Sequence, residues 1–425
     1  MVLNKFKELT SELFSAAEGD SGPIVALDIG TENIKALVVQ VSGGKIKVIG
    51  EGRSKQGLTD MQAGAIADIP EVIANCDKAL RKAEEESGYR GSRAVVGIAG
   101  ELIKGVTNTI HIKRENPETP LEVEEIDDII KHAQSEAYSR AKEDVLLEIG
   151  SEDVELKLVN SALVSISIDG YKVTNPEGFQ GTEVEVQLYT AFSPLVHIGA
   201  IEHVVRDLDL ELLAVAAEPF AVSRSIIGDD PEPTTSAILI DVGGGTTDIA
   251  VLRDGGLEGT QMFGIGGRSF TKALARHFDV SFEAAEVLKL RYSKNELKAD
   301  KRDKVAKIID EVLEVWVQGV ELALSEFDWI DVLPSNILLC GGGASLPEVS
   351  KKLRSSDWHK DLAFAKTPKA RFIPVEDVVG LVDTTGRVND HTIITALGLA
   401  RVGSDTSGTS KSGGVKGKIN KLLES

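Results

Sequence analysis

Two cysteines in 425 residues, Cys76 and Cys340, stand far apart and without metal-ligand spacing. Neither a disulfide framework nor a zinc cluster can be built from them, which points to a reducing compartment. No apolar run reaches the ~18–20 residues that crossing a bilayer takes. The N-terminus lacks the apolar core and small-residue cleavage site of a signal peptide. The expectation is a soluble intracellular protein. Common nucleotide and hydrolase signatures are missing too. The absence of G-x-x-x-x-G-K-[ST] excludes a Walker P-loop, and no G-x-G-x-x-G opens a βαβ unit. Without H-E-x-x-H or G-x-S-x-G, zinc-protease and serine-hydrolase readings have no anchor. Positive charge is scarce: 47 Lys+Arg face 67 Asp+Glu, a formal net charge of −20. Phosphate neutralisation needs clustered Lys/Arg, so a general nucleic-acid binder is disfavoured.

What is present reads as an α/β protein of two to four compact units, at roughly 100–200 residues per domain. Residues 2–17 carry Val2, Leu3, Phe6, Leu9, Leu13 and Phe14 at spacings that fit one helix face, and Gly19-Asp20-Ser21-Gly22-Pro23 breaks it. Apolar runs at 24–27 and 34–41 flank Asp28-Ile29-Gly30-Thr31 and predict two strands around a tight turn. A helix over 69–86 and a strand over 94–98 follow. The opening pattern then recurs at 237–252, where Asp241-Val-Gly243-Gly244-Gly245-Thr246-Thr247-Asp248 lies between apolar strands. Two such copies predict two related halves facing one another across a cleft. A third glycine cluster, Gly341-Gly342-Gly343, follows the strand 337–340 and leads into a helix, with Ser345 and Glu348 at capping-box spacing. Residues 392–402 predict a small-residue helix, 404–414 a flexible linker, and 415–423 a short helix with Val415, Ile419, Leu422 and Leu423 on one side.

A strand ending in Asp-x-Gly-Thr combines useful chemistry. Gly permits a φ > 0 geometry in which backbone N–H groups converge on an anion. Thr31, or Thr246 and Thr247, adds hydroxyl donors. Asp28 and Asp241 would repel phosphate unless a cation lies between, so they imply Mg²⁺ held through water. For Asp28 alone a plain hairpin turn with a solvent-facing carboxylate is an equal reading. Three consecutive glycines at 243–245 are wasteful unless something approaches the backbone closely. Gly341–Gly343 could admit a flat adenine ring or form a plain strand-to-helix turn.

In this order, the three clusters resemble the phosphate-1, phosphate-2 and adenosine signatures of the actin/Hsp70/sugar-kinase superfamily. The resemblance covers about residues 23–403 and includes Glu218-Pro219 and the Ala396/Gly398 helix. It implies an actin-like (ribonuclease-H-like) two-domain fold holding ATP and Mg²⁺ between its halves. Asp28 and Asp241 would organise the metal and Glu218 would orient the attacking water. Gly30, Thr31, Gly243, Gly244, Gly245, Thr246 and Thr247 would surround phosphate. Gly266 and Gly267 would pass near ribose and phosphate. Glu286 and Lys289 would flank adenosine with Gly341, Gly342 and Gly343, although their spacing alone favours a solvated surface pair.

Within the superfamily the chain is most similar to the FtsA family, actin-like ATPases of bacterial division. Val95-Val-Gly-Ile-Ala-Gly100, the stretch from Ile168-Asp-Gly-Tyr to Gly181-Thr-Glu-Val-Glu-Val186, and Ala285-Glu-Val-Leu-Lys-Leu-Arg-Tyr292 carry that similarity. It implies a first domain at 20–92 and 194–235, an inserted subdomain at 93–193, and a second domain at 236–403 whose adenosine side is 261–334. An N-terminal helix at 1–19, a linker at 404–414 and an amphipathic tail helix at 415–425 complete the chain. It further implies slow ATP hydrolysis, head-to-tail self-assembly, other division proteins as partners, and tethering of the tubulin-like polymer FtsZ to the inner face of the membrane. Asn33 stands where many relatives carry Lys, 139–160 look enlarged, and the tail lacks aromatics. Those departures keep open a PilM-like scaffold of type IV pilus machines.

The tail has its own electrostatics. Lys411, Lys416, Lys418 and Lys421 against Asp405 and Glu424 give residues 404–425 a formal +2, so the first 403 residues hold −22. Four lysines contribute at most roughly 4 kcal/mol at an anionic membrane surface. One copy would hold weakly and many copies in a filament strongly, because later contacts are intramolecular. A solubilising tail is the bland alternative, and the N-terminal helix, through Phe6 and Phe14, is a rival anchor.

Overall fold

The computed structural model describes residues 22–42, 45–100, 103–149, 154–228, 234–355 and 357–409. The N-terminal helix expected at 1–19 and the tail helix at 415–425, with Val415, Lys416, Lys418, Ile419, Lys421, Leu422 and Leu423, lie outside the described residues.

Strands β1 (Ile24–Ile29), β2 (Asn33–Ser42) and β3 (Lys45–Lys55) form an antiparallel meander. All six residues of β1 are buried, as a central strand covered on both faces requires. The short pair β4 (Met61–Gln62) and β5 (Ala65–Ile66) leads to α1 (Ile69–Ser87). Asp68 caps α1 by accepting from the Glu71 N–H, and Gly88 ends it at φ +71°. Val72, Cys76, Ala79, Leu80 and Ala83 form its buried stripe. β6 (Arg93–Ile98) then pairs parallel with β1.

Strand β7 (Lys104–Lys113), helix α2 (Val123–Ile149), and strands β8 (Leu156–Ile168), β9 (Tyr171–Val173) and β10 (Glu183–Pro194) make the insert. It has a separate core that includes Ile110, Leu121, Ile126, Ile130, Val184 and Val186. The chain returns through α3 (Leu195–Asp207), β11 (Glu211–Ala217, parallel to β6) and α4 (Glu218–Ile227).

The second half opens with another meander, β12 (Ala237–Val242), β13 (Thr247–Arg253) and β14 (Gly256–Phe263). Helices α5 (Gly267–Phe278), α6 (Phe282–Ser293) and α7 (Ala299–Ser325) follow, then β15 (Asn336–Cys340), α8 (Pro347–Leu353) and β16 (Lys369–Phe372). β17 (Leu381–Asp383) and α9 (Ile394–Thr409) end the described chain. The strand orders β3-β2-β1-β6-β11 and β14-β13-β12-β15-β16 are the same design twice, meander first and parallel strands after. The repeat read in the sequence is therefore a repeat of topology.

Three boundaries differ from the sequence expectation. β6 belongs to the first half's sheet, so the insert begins after it and not at 93. The chain does not stay in the second half to 403: β17 pairs with β3, and α9 packs into the first half's core through Ile394, Ala396, Leu397, Leu399 and Ala400. The linker expected from 404 is helical as far as Thr409. Its Ser-Gly-Thr composition is overridden by tertiary contacts, because Ser404 is buried and Asp405 bonds both Arg224 (2.8 Å) and Arg401 (3.1 Å). The insert is also joined to the second half, since β7 pairs with β14 and extends that sheet to nine strands. Among the described residues no helix is long and apolar enough to cross a membrane.

Candidate functional site

The two meanders place their acids at the same point. Asp28, near the end of β1, lies opposite Lys35 on β2; Asp241, near the end of β12, lies opposite Asp248 on β13. Cross-strand partners share a face of the sheet, so each pair projects together. Lys35 Nζ sits 2.7 Å from Asp28 Oδ2. Glu218, the first residue of α4, enters the same space, and Gly97 leaves room for it: a Cβ there would lie 3.3 Å from Glu218 Oε1. Thr395 of α9 donates to Asp241 Oδ2 at 2.5 Å. Asp28, Asp241, Asp248 and Glu218 are all buried.

Four carboxylates around one ammonium are electrostatically unbalanced. Burial, with Asp28, Asp248 and Asp241 adding like charge, pushes Glu218 well above the ordinary carboxylate range. Burial and the neighbouring Asp241 do the same to Asp248. Burial raises Asp241 as well, against the opposing hydrogen bond from Thr395. For Lys35 burial pulls the ammonium down, but Asp28, backed by Asp241 and Glu218, carries the net direction upward.

The cluster fits a hard divalent cation on chemistry: its side-chain donors are oxygens, and Asp248 Oδ1 is buried without a hydrogen-bond partner. Among the described residues no three His, Cys, Asp or Glu side chains form a closed ligand shell. The fit is therefore to a cation held in part by groups other than these side chains.

The glycine turns meet each other across the halves. A Cβ on Gly244 would lie 2.7 Å from Glu32 Cβ, and one on Gly245 would lie 2.9 Å from Thr31. Close approach, not the expected φ > 0, is what requires glycine here. Among the candidate glycines only Gly341 has positive φ, at +82°, where a side chain would collide with Asp241. Gly30 sits in the β1–β2 turn, and Gly243 O accepts the Gly267 N–H at 2.9 Å, tying Gly266-Gly267 and the start of α5 to the second turn. Thr31 and Thr246 are buried beside the acids; Thr246 Oγ1 lies 3.5 Å from Asp248 Oδ2. Thr247 is a correction. Its hydroxyl donates to Ile265 O at 2.7 Å and accepts from Trp316 Nε1 at 2.9 Å, so it faces the core and is no phosphate donor.

A family model described as "Cell division protein FtsA" matches residues 238–398. The chain is 28% identical to the cell division protein FtsA of Enterococcus hirae over 352 residues, which is 77% of this chain and 75% of that one. It is 26% identical to the Bacillus subtilis FtsA over 350 residues, 76% of this chain and 74% of that one. The chain is similar in sequence to FtsA proteins. The fold is actin-like: the solved PilM–PilN type IV pilus biogenesis complex superposes at a TM-score of 0.65, with 19% identity, covering 90% of this chain and 98% of that one.

On the side expected to take adenosine, Glu286 and Lys289 are not a solvated pair. Both are buried on α6, 2.8 Å apart, and Lys289 also donates to Gly267 O (2.9 Å) and Thr271 Oγ1 (2.8 Å). Lys289 Nζ and Gly343 Cα both face Gly267, at 3.5 and 3.7 Å from where its Cβ would be. Thus α5, α6 and the Gly341–Gly343 turn converge on one spot, and Gly342 opens onto free space beside it. The capping box expected at Ser345 and Glu348 does not form. Helix α8 starts at Pro347 without a side-chain cap; Ser345 Oγ bonds His391 Nε2 at 3.1 Å, and Glu348 accepts from the Tyr292 hydroxyl.

Sequence reasoning missed Lys35, Asp248 in its role beside Asp241, and Thr395. The first two had a legible signal: each stands seven residues after its Asp, where an antiparallel pair around a short turn brings it back opposite. Thr395 had none, because its helix is remote in sequence.

Proposed function

We propose that this chain is an actin-like cell-division protein that binds ATP with Mg²⁺ between its two halves, assembles head-to-tail on the inner face of the membrane, and tethers FtsZ there. The observation that carries the reading is the meeting of both Asp turns, Asp28 and Asp241, in one buried acid cluster at the contact of the two glycine turns. The relation to FtsA supports the division role. Asp28 and Asp241 hold the metal's water shell, with Asp248 beside them. Bound Mg²⁺ would supply charge neutralisation at the phosphates. Turn N–H groups take the phosphate oxygens, and Lys35 sits behind Asp28 as the fixed positive charge. Glu218 accepts a hydrogen bond from a water in line with the γ-phosphate and so orients its attack. Hydrolysis is slow, and the bound nucleotide mainly sets a conformational state. The lysines of the tail address anionic lipid.

The test is co-sedimentation with anionic vesicles, with and without ATP·Mg²⁺ and FtsZ. Three chains are compared: wild type, Asp241→Ala, and a chain ending at residue 410. Truncation there removes every tail lysine yet spares α9 and its Asp405 pairs. Wild type should pellet with vesicles only when ATP is present and should carry FtsZ down; Asp241→Ala should lose ATP binding, and the truncated chain should lose lipid. Equal ATP binding by Asp241→Ala would sink the site. Failure to carry FtsZ down would remove the division partner and leave the PilM-like scaffold.

A further inference from the structure

Arg268, the second residue of α5, is a buried arginine whose side-chain hydrogen bonds all lead across the cleft. Its backbone N–H donates to Gly244 O at 2.7 Å, within the second glycine turn. Its guanidinium reaches the first half three times: Nε donates to Glu32 Oε2 at 2.8 Å, Nη1 to Leu58 O at 3.2 Å, and Nη2 to Gly57 O at 3.0 Å. Glu32 directly follows the Asp28-Ile29-Gly30-Thr31 turn, and its Cβ is the atom that rests against Gly244. The segment 57–58 is braced from behind, because Gly57 N donates to Asp60 Oδ2 (2.6 Å) and Asp60 accepts from Asn75 Nδ2 (2.9 Å) on α1. One residue therefore joins both glycine turns and a third loop, the second turn through its backbone N–H and the others through its guanidinium. A planar fork with fixed donors suits three acceptors at once, which a lysine ammonium cannot match.

We propose that Arg268 is a positioning residue that clamps the first turn and the 57–58 loop onto the second turn, and so sets how fast the cleft admits and releases its ligand. The inference rests on the nucleotide reading above. It makes a distinction that charge alone does not. Removing the Glu32 carboxylate leaves Arg268 as an uncompensated cation beside a phosphate path, and simple electrostatics then predicts slower release. A clamp predicts that both entry and exit quicken.

The experiment follows a fluorescent ATP analogue with Mg²⁺ on the full chain by stopped flow. Glu32→Gln should raise association and release rates about tenfold each while Kd stays within roughly threefold. Arg268→Lys should move both rates the same way, and the reversed pair Glu32→Arg with Arg268→Glu should bring release back toward wild type. A second readout needs no nucleotide. Spin labels at Lys47→Cys in the first half and Lys304→Cys in the second report the distance between halves, both native cysteines being buried. Glu32→Gln should lengthen or broaden that distance distribution. An unchanged distribution overturns the clamp, and so does release that is unchanged or slower. If the wild-type chain takes up no nucleotide, the nucleotide reading fails, while the label distances still decide whether Arg268 holds the halves.

Discussion

The two halves are built to one plan and differ where it matters. Each has an Asp near the end of the first strand of a meander, a glycine turn after it, and a partner seven residues on that lies opposite the Asp. In the first half that partner is Lys35; in the second it is Asp248. The first pair is a buried ion pair that satisfies itself, whereas the second is two buried acids held apart only by taking up protons or a cation. The repeated topology supplies a symmetric cradle, and the residue opposite each Asp makes it electrostatically lopsided. The lesson is that the first half's pair satisfies its own charges, whereas the second half's leaves Asp248 Oδ1 buried without a hydrogen-bond partner.

That contrast can be broken in graded steps. Lys35→Met should have the largest effect, because it strands Asp28 as a buried charge; chemical denaturation should show a loss of about 3–5 kcal/mol. Asp248→Asn should act in the opposite direction on the ligand-free protein. A raised native carboxylate binds its proton more tightly folded than unfolded, so stability is greatest at acid pH. It falls as pH rises from the ordinary Asp value of about 3.9 toward the raised native one. Asp248→Asn should therefore gain about 1–3 kcal/mol at pH 8 and little near pH 4, read as a flatter dependence of Tm on pH. It should also weaken Mg²⁺-dependent nucleotide binding, and an unchanged pH slope would remove Asp248 from the cluster's electrostatics. Thr247→Val should have the smallest effect. It strands Trp316 Nε1 and costs about 1–2 kcal/mol in denaturation, with nucleotide affinity as in wild type. A weakened affinity would return Thr247 to the phosphate donors.

Much of this frame could be read without coordinates, for identifiable reasons. The strands beside Asp28 and Asp241 are apolar runs interrupted by glycine, and central strands covered on both faces must look like that. The fate of Glu286 and Lys289 was hidden, because an acid and a lysine three apart on a helix look the same on a surface and in a closed network with Thr271. The return of α9 to the first half was also hidden: nothing local says which sheet a small-residue helix will cover. Gly398 is the trace of it, since a Cβ there would lie 2.2 Å from Ala221 O of α4. Residues 404–409 failed for the opposite reason. Their composition reads as linker, whereas the Arg224–Asp405 pair, between residues 181 apart, and the Arg401–Asp405 pair help hold them as helix.

The two sheets end in unusually modest borders. The outermost strands of the nine-stranded sheet are β9, with 3 residues, and β16, with 4; the six-stranded sheet ends in β17, with 3. Its other border, β11, is longer at 7 residues, but Asn160 of the insert covers it, accepting the Ala217 N–H at 2.8 Å and reaching Val215 O at 3.5 Å. Short borders limit how far another chain could extend either sheet, but they leave longer neighbours uncovered: β9 pairs only with Ile166–Ile168 of β8, and β17 only with Ile46–Val48 of β3.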